Sequence, residues 1–256
     1  MIIIKQKPNY GFPLSFMFYS YLAVLFLSLI LVILILSEIS LYIILLVCLI
    51  IIPLYVIFAI IRFKNLFIKN RKRLLKRFIK HANLKGNEKI LDLGTGSGFL
   101  AIGFAKKLKK GKSYGLDKFS FKNNKIRTEI RNIIKINYIY NNIEHAIENS
   151  IIEKVEKNCY FIEADITKPL DFSDNYFDII VTCQFLYCLS PEKRNKVFNE
   201  INRVLKKGGK IIFFEAKSFM NWDINEVKEF FKKIGYKTRF IPLAEFKHCY
   251  ILYGVK

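Results

Sequence analysis

Two kinds of hydrophobic pattern divide this chain. From Leu14 to Leu36, and again from Ile39 to Ile61, apolar residues follow one another without a single charge and without a helical or strand period. At about 1.5 Å per residue each run reaches some 34 Å as a helix, enough for a hydrocarbon core of about 30 Å. Only Ser37 and Glu38 lie between them, so the pattern predicts a helical hairpin that spans a bilayer twice, with Glu38 near its turn. Pro53 is expected to kink the second helix rather than end it, because neighbouring groups can satisfy the freed carbonyl. The runs are too long for the apolar part of a cleavable leader. They also adjoin a remainder that already reads as a complete domain, which argues against buried core helices.

Beyond Lys89 the pattern changes to short apolar runs alternating with amphipathic stretches. Ile90-Leu91 precedes a helical pattern over Phe99 to Leu108; Lys112 to Asp117, Cys159 to Ile166, the run entered through Phe172 to Asp178 and ending at Val181, and Val204 to Phe214 supply further strands. Asn225 to Gly235 reads as an amphipathic helix, followed by strands at Lys237 to Leu243 and His248 to Val255. Such alternation implies an α/β fold, a parallel sheet with crossover helices on both faces. Ligands of these sheets collect beyond the carboxyl ends of the strands, where Asp92, Asp117, Asp165 and the segment after Val181 fall.

Charge refines the first pattern. Lys5 and Lys7 precede the apolar runs, while Arg62, Lys64, Lys69, Arg71, Lys72, Arg73, Lys76, Arg77 and Lys80 follow them. The excess of cations at both ends places the N-terminus and the domain beyond the runs on the cytoplasmic side. Leu66, Phe67, Ile68, Leu74, Leu75, Phe78 and Ile79 are interleaved with the cations, so 62–81 is expected to lie along the headgroups as a basic amphipathic helix. The expected organisation is a transmembrane hairpin over 1–61, a juxtamembrane linker over 62–81 and a ligand-binding domain over 82–256. The net charge of +21 over 256 residues invites a nucleic-acid partner, but the cations are spread through a chain rich in Lys, Asn and Ile, and no specific nucleic acid is expected. The cysteines form no CxxC pair, and neither a zinc site nor a disulfide framework is indicated.

The densest chemistry lies at Asp92-Leu93-Gly94-Thr95-Gly96-Ser97-Gly98, between a strand and a helix. Alternate residues without Cβ let the backbone turn sharply and approach a ligand. A dinucleotide fingerprint needs a third glycine where Phe99 stands, and a phosphate loop needs a Gly-Lys-Ser/Thr ending that is absent. With the acid two places before the first glycine, the segment resembles the cofactor loop of the class I S-adenosylmethionine-dependent methyltransferases. The later signals keep the family's order: the acid of Tyr114-Gly115-Leu116-Asp117, the acid of Ile162-Glu163-Ala164-Asp165-Ile166, the Asp178 lead into a fourth strand, and the Lys207-Gly208-Gly209 turn before a fifth. The resemblance covers about Ala82 to Lys256. It implies a Rossmann-like fold with a mostly parallel seven-stranded sheet and S-adenosyl-L-methionine as cofactor. It also implies a cofactor-binding set of Asp92, Gly94, Thr95, Gly96, Gly98, Asp117, Lys118, Asp165, Ile166 and Cys183. Asp117 would accept the ribose hydroxyls, Asp165 the adenine amino group, and Ile166 would pack on the ring.

The resemblance places the methyl acceptor against Thr182-Cys183-Gln184-Phe185-Leu186-Tyr187-Cys188-Leu189. This chain lacks the histidine pair that several members carry near Tyr187 and Cys188, and also lacks the Asn/Asp-Pro-Pro-aromatic motif of the amino-methylating members. Tyr187 is the one candidate to position or deprotonate an acceptor. Lys118 to Asn142 reads as an enlarged connection at the rim, a place where selectivity can reside. Together these features lead to a membrane-anchored methyltransferase acting on a lipid or small amphiphile. A catalytically inactive adaptor of the same fold and a membrane-tethered RNA methyltransferase are the competing readings.

Overall fold

The computed structural model describes residues 24–33, 41–119, 142–219, 222–243, 246 and 248–256. They fall into two compact units, one covering 12–74 and the other running from Leu75 to Lys256. The first unit is helical over 24–33 and again from Leu41, where helix α1 (Leu41–Ala82) begins and continues through Pro53. Most of its described apolar side chains stand exposed, Phe26, Leu49, Leu54 and Phe58 by 65%, 68%, 61% and 59%. Among the described residues no helix is long and apolar enough to cross a membrane. The helical residues 24–33 reach only about 15 Å, and in the apolar part of α1 side chains are described over 49–58. The expected hairpin turn at Ser37 and Glu38 lies outside the described residues, as does most of the expected rim connection, 120–141.

The basic segment 62–81 differs from expectation, because it is no separate helix but the continuation of α1. Nothing after Pro53 interrupts helical geometry: the stretch to Ala82 contains neither Gly nor Pro and is rich in long unbranched side chains. The helix ends where Asn83 takes a left-handed conformation at φ 49 and donates its N–H to the Ile79 carbonyl. One side of the last turns packs into protein, while Arg73, Lys76, Arg77 and Lys80 stand exposed. Phe78 and Ala82 are fully buried, and the Phe78 ring meets Phe104 edge-on at 6.4 Å. The compact unit therefore starts near Leu75, ahead of the expected boundary at Ala82.

The second unit is a seven-stranded sheet in the order β3-β2-β1-β4-β5-β9-β8. Its strands are β1 (Lys89–Leu93), β2 (Lys112–Asp117), β3 (Cys159–Glu163), β4 (Phe177–Cys183), β5 (Leu205–Ala216), β8 (Lys237–Pro242) and β9 (Cys249–Val255). The first five run parallel, and β9 is antiparallel to both β5 and β8. Two short strands, β6 (Ser218–Phe219) and β7 (Trp222–Asp223), pair separately. Helices α2 (Phe99–Ala105), α3 (Ile143–Ile152), α4 (Pro191–Val204) and α5 (Ile224–Lys233) make the crossovers. Leu91, Leu116, Ile180 and Phe213 join Val197, Phe198 and Ile201 of α4 and Val227 and Phe231 of α5 in the main core. Ala101, Ile102 and Ala105 of α2 pack in a second cluster with Val155 and Cys159. Burial on both sides explains why the central strands read as continuous apolar runs.

One strand differs from its expected form. Gly208-Gly209, expected as a turn, lies inside β5, where the register shifts between Phe177 and Ile179 of β4. The pair is held open as a bulge because Gly208 N–H donates to the Lys256 carbonyl and Lys256 N–H to the Gly209 carbonyl.

Candidate functional site

The loop 94–98 leaves β1 at its carboxyl end with Gly94, Gly96 and Gly98 all left-handed, at φ 70, 54 and 83. Three neighbours fix it. The Leu116 carbonyl accepts the N–H groups of Gly94 and Thr95 at 2.9 and 3.0 Å. Asp117 Oδ2 accepts the Gly96 N–H at 3.0 Å, and Asn149 of α3 donates to the Ser97 carbonyl at 3.0 Å.

Asp92 shapes this loop from below rather than standing open at its surface. It is 2% exposed, and its Oδ2 accepts the Thr95 hydroxyl at 2.7 Å and the Ala101 N–H at 3.1 Å. A carboxylate thus already occupies the start of α2, all of whose residues are buried. A phosphate placed there would meet a like charge instead of open helix donors, so the loop suits a ligand without phosphate at this end.

The other expected residues gather around the same strand tips. Asp117 closes β2 half-exposed, and its Oδ1 also accepts the Phe119 N–H at 3.3 Å. Asp165 stands two residues past β3, where its Oδ1 accepts the Thr167 N–H and hydroxyl at 3.0 and 2.7 Å. Lys118 Nζ lies 2.9 Å from Asp165 Oδ2, joining the tips of β2 and β3. Partial burial pushes the Asp165 carboxyl up, but the Thr167 and Lys118 hydrogen bonds outweigh it and hold the group down at about 2. Ile166 is placed differently from expectation: it is 5% exposed and packed in the main core rather than standing open at the tip.

At the end of β4, Cys183 is half-buried, and Gln184 follows in a left-handed conformation at φ 57 that a non-glycine residue adopts at a cost of about 1 kcal/mol. Phe185 then turns the chain into a 3₁₀ turn, Leu186–Cys188. A Cβ on Gly94 would come within 2.3 Å of the Phe185 ring, so the space the glycine leaves is filled on that side by this chain's own aromatic group. Tyr187 sits in the turn, half-buried; burial and, after it, the neighbouring Cys188 and Glu215 push its phenol up to about 12. It therefore keeps its proton at neutral pH.

Two residues of this region escape sequence reasoning, Asn149 and Glu215, and a third, Phe185, is expected only as part of the acceptor-side segment and not against Gly94. Glu215, fully buried near the end of β5, accepts the Phe185 and Leu186 N–H groups on Oε1 at 3.0 and 3.1 Å. Its signal is an acid closing the apolar run Ile211 to Phe214. Asn149 and the contact of Phe185 with Gly94 have no signal in the local pattern, since their loop partners, Ser97 and Gly94, lie far away along the chain.

Comparison with known proteins agrees with this geometry. Residues 84–241 match the family model described as a methyltransferase domain. The chain is 31% identical over 127 residues to a probable methyltransferase, ltbC, of Aspergillus luteorubrus, a match covering 49% of this chain and 39% of that one. The chain thus spans about four tenths of the length of the curated relatives it matches. Among solved structures, a SAM-dependent methyltransferase from Aquifex aeolicus shares the fold at TM-score 0.51 and 20% identity, over 73% of this chain and 97% of that one. The cyclase SpnF shares it at TM-score 0.55 and 17% identity, over 72% and 80%. With the matched segment covering more than half of its length, this chain belongs to the methyltransferase-domain family, the class I enzymes that take S-adenosylmethionine as cofactor.

Proposed function

We propose that this protein is a membrane-anchored methyltransferase that transfers a methyl group from S-adenosylmethionine to a membrane-associated or small amphiphilic acceptor on the cytoplasmic side. The observation that carries the reading is the succession of two long uncharged runs, a dense row of cations and a glycine-loop domain in one chain. The exposure of consecutive apolar side chains at Leu49, Ile50 and Ile51 supports it, since a helix apolar on every side suits an apolar solvent.

The bound cofactor supplies a methyl group already activated on a sulfonium. The residues of the site have the lighter task of holding the partners in line and dry. Asp117 has the acceptor oxygens for a ribose diol, while the Lys118–Asp165 pair stands at the neighbouring tip, where a base would lie. Cys183 and the Tyr187 hydroxyl border the acceptor side. Anchoring keeps a scarce lipid-borne acceptor within reach of the site.

Purified protein incubated with methyl-labelled cofactor and vesicles of a total membrane lipid extract is expected to place label in the lipid fraction. Label found only in added soluble RNA or protein overturns the acceptor assignment. Failure of the full chain to float with the vesicles overturns the anchor.

A further inference from the structure

Glu215 has no part in the chemistry described so far, yet it is the fully buried acid beside the loop and the turn after β4. Its Oε1 accepts two successive backbone N–H groups, while Oε2 has no hydrogen-bond partner among the described residues. The Thr182 hydroxyl helps keep the carboxylate charged, though its geometry falls short of a hydrogen bond. A buried acid is costly unless its bonds are worth the desolvation. Here those bonds hold one short segment. That segment begins with the left-handed Gln184, whose side-chain amide donates to Cys249 Sγ at 3.7 Å, and it carries the ring that stands on Gly94.

We propose that Glu215 is a positioning residue of the methyl-donor site: through the Phe185 and Leu186 amides it holds the turn after β4 so that the Phe185 ring stands over Gly94 as the wall of the donor's methionyl end. The inference rests on the donor-binding reading above. Phe185 is half-exposed and its ring adjoins Gly94, itself half-exposed. Without the carboxylate, the two amides lose their acceptor, the strained Gln184 relaxes, and the ring leaves the glycine.

The test is calorimetric titration of the full chain with S-adenosylhomocysteine, for wild type, Glu215→Ala, Phe185→Ala and the double variant. Each single change is expected to weaken binding about tenfold, and the double variant no further, because both remove the same wall. Unchanged affinity in Phe185→Ala, or single losses that multiply to about a hundredfold, would overturn the proposal. Glu215→Gln keeps an acceptor oxygen and is expected to stay within about threefold of wild type; a loss equal to that of Phe185→Ala, at an unchanged melting temperature, counts against positioning and decides the matter if Glu215→Ala does not fold. Absence of binding by the wild type itself would instead remove the donor reading on which the inference stands.

Discussion

Glu215 and Asp117 are both acids at strand ends, and their surroundings give them opposite duties. Burial pushes the Glu215 carboxyl from its ordinary 4.5 to about 7, against the pull of the Phe185 and Leu186 amides. Between those values the unfolded chain has released the proton that the folded chain still holds, so stability falls as pH rises from about 4.5 to about 7 and is level above. Tyr187, Cys188 and Cys249, which face the same carboxylate, are all shifted upward by burial and stay neutral through that window. Glu215→Gln, which has no proton to lose, is expected to flatten this part of a melting-temperature profile against pH. Asp117, half-exposed and bonded to Gly96, is the residue whose loss should be felt by the ligand. Asp117→Ala is expected to weaken S-adenosylhomocysteine binding by about tenfold or more in calorimetry, as removal of a charged hydrogen-bond acceptor does. The place of Asp117 at the tip of β2 was readable because a short apolar run that ends in an acid marks where a buried strand leaves the core. The loop-shaping use of Asp92 was not readable, because the Ala101 amide that it caps lies across a turn whose path no local pattern fixes.

At the scale of elements, strands and helices were legible wherever burial on one or both faces imposed a period. The amphipathic α5 and the pair β8 and β9 fall within a residue or two of their expected ranges. The double glycine of β5 was not legible. Its role is set by the antiparallel partner β9 and by Lys256, which bond the bulge from another part of the sequence. The extent of α1 was hidden for a different reason: a change from apolar to basic residues looks like a boundary, although helix propensity does not change there. The final turns of α1 belong to the core of the sheet unit, and Phe78→Ala is expected to cost about 3 to 5 kcal/mol, seen as a lower urea midpoint at unchanged slope.

Over the whole molecule, a mostly parallel sheet with helices on both faces was legible from the alternation of strands and helices, whereas the strand order β3-β2-β1-β4-β5-β9-β8 is set by pairings between distant segments that no local pattern carries. The chemistry is less bound to the fold, as the shared architecture of a cyclase and methyltransferases illustrates. What separates one activity from another is the lining above the sheet, and in this chain that lining is tied together from tip to tip. The Leu116 carbonyl accepts from the first two loop amides while the next residue, Asp117, accepts from the third, so on the proposed reading the acid that meets the ribose and the loop under the methionyl end are joined by hydrogen bonds. Adenosine and methionine offered as separate molecules are therefore expected to help each other bind, and a titration of adenosine with and without saturating methionine reads the cooperation directly.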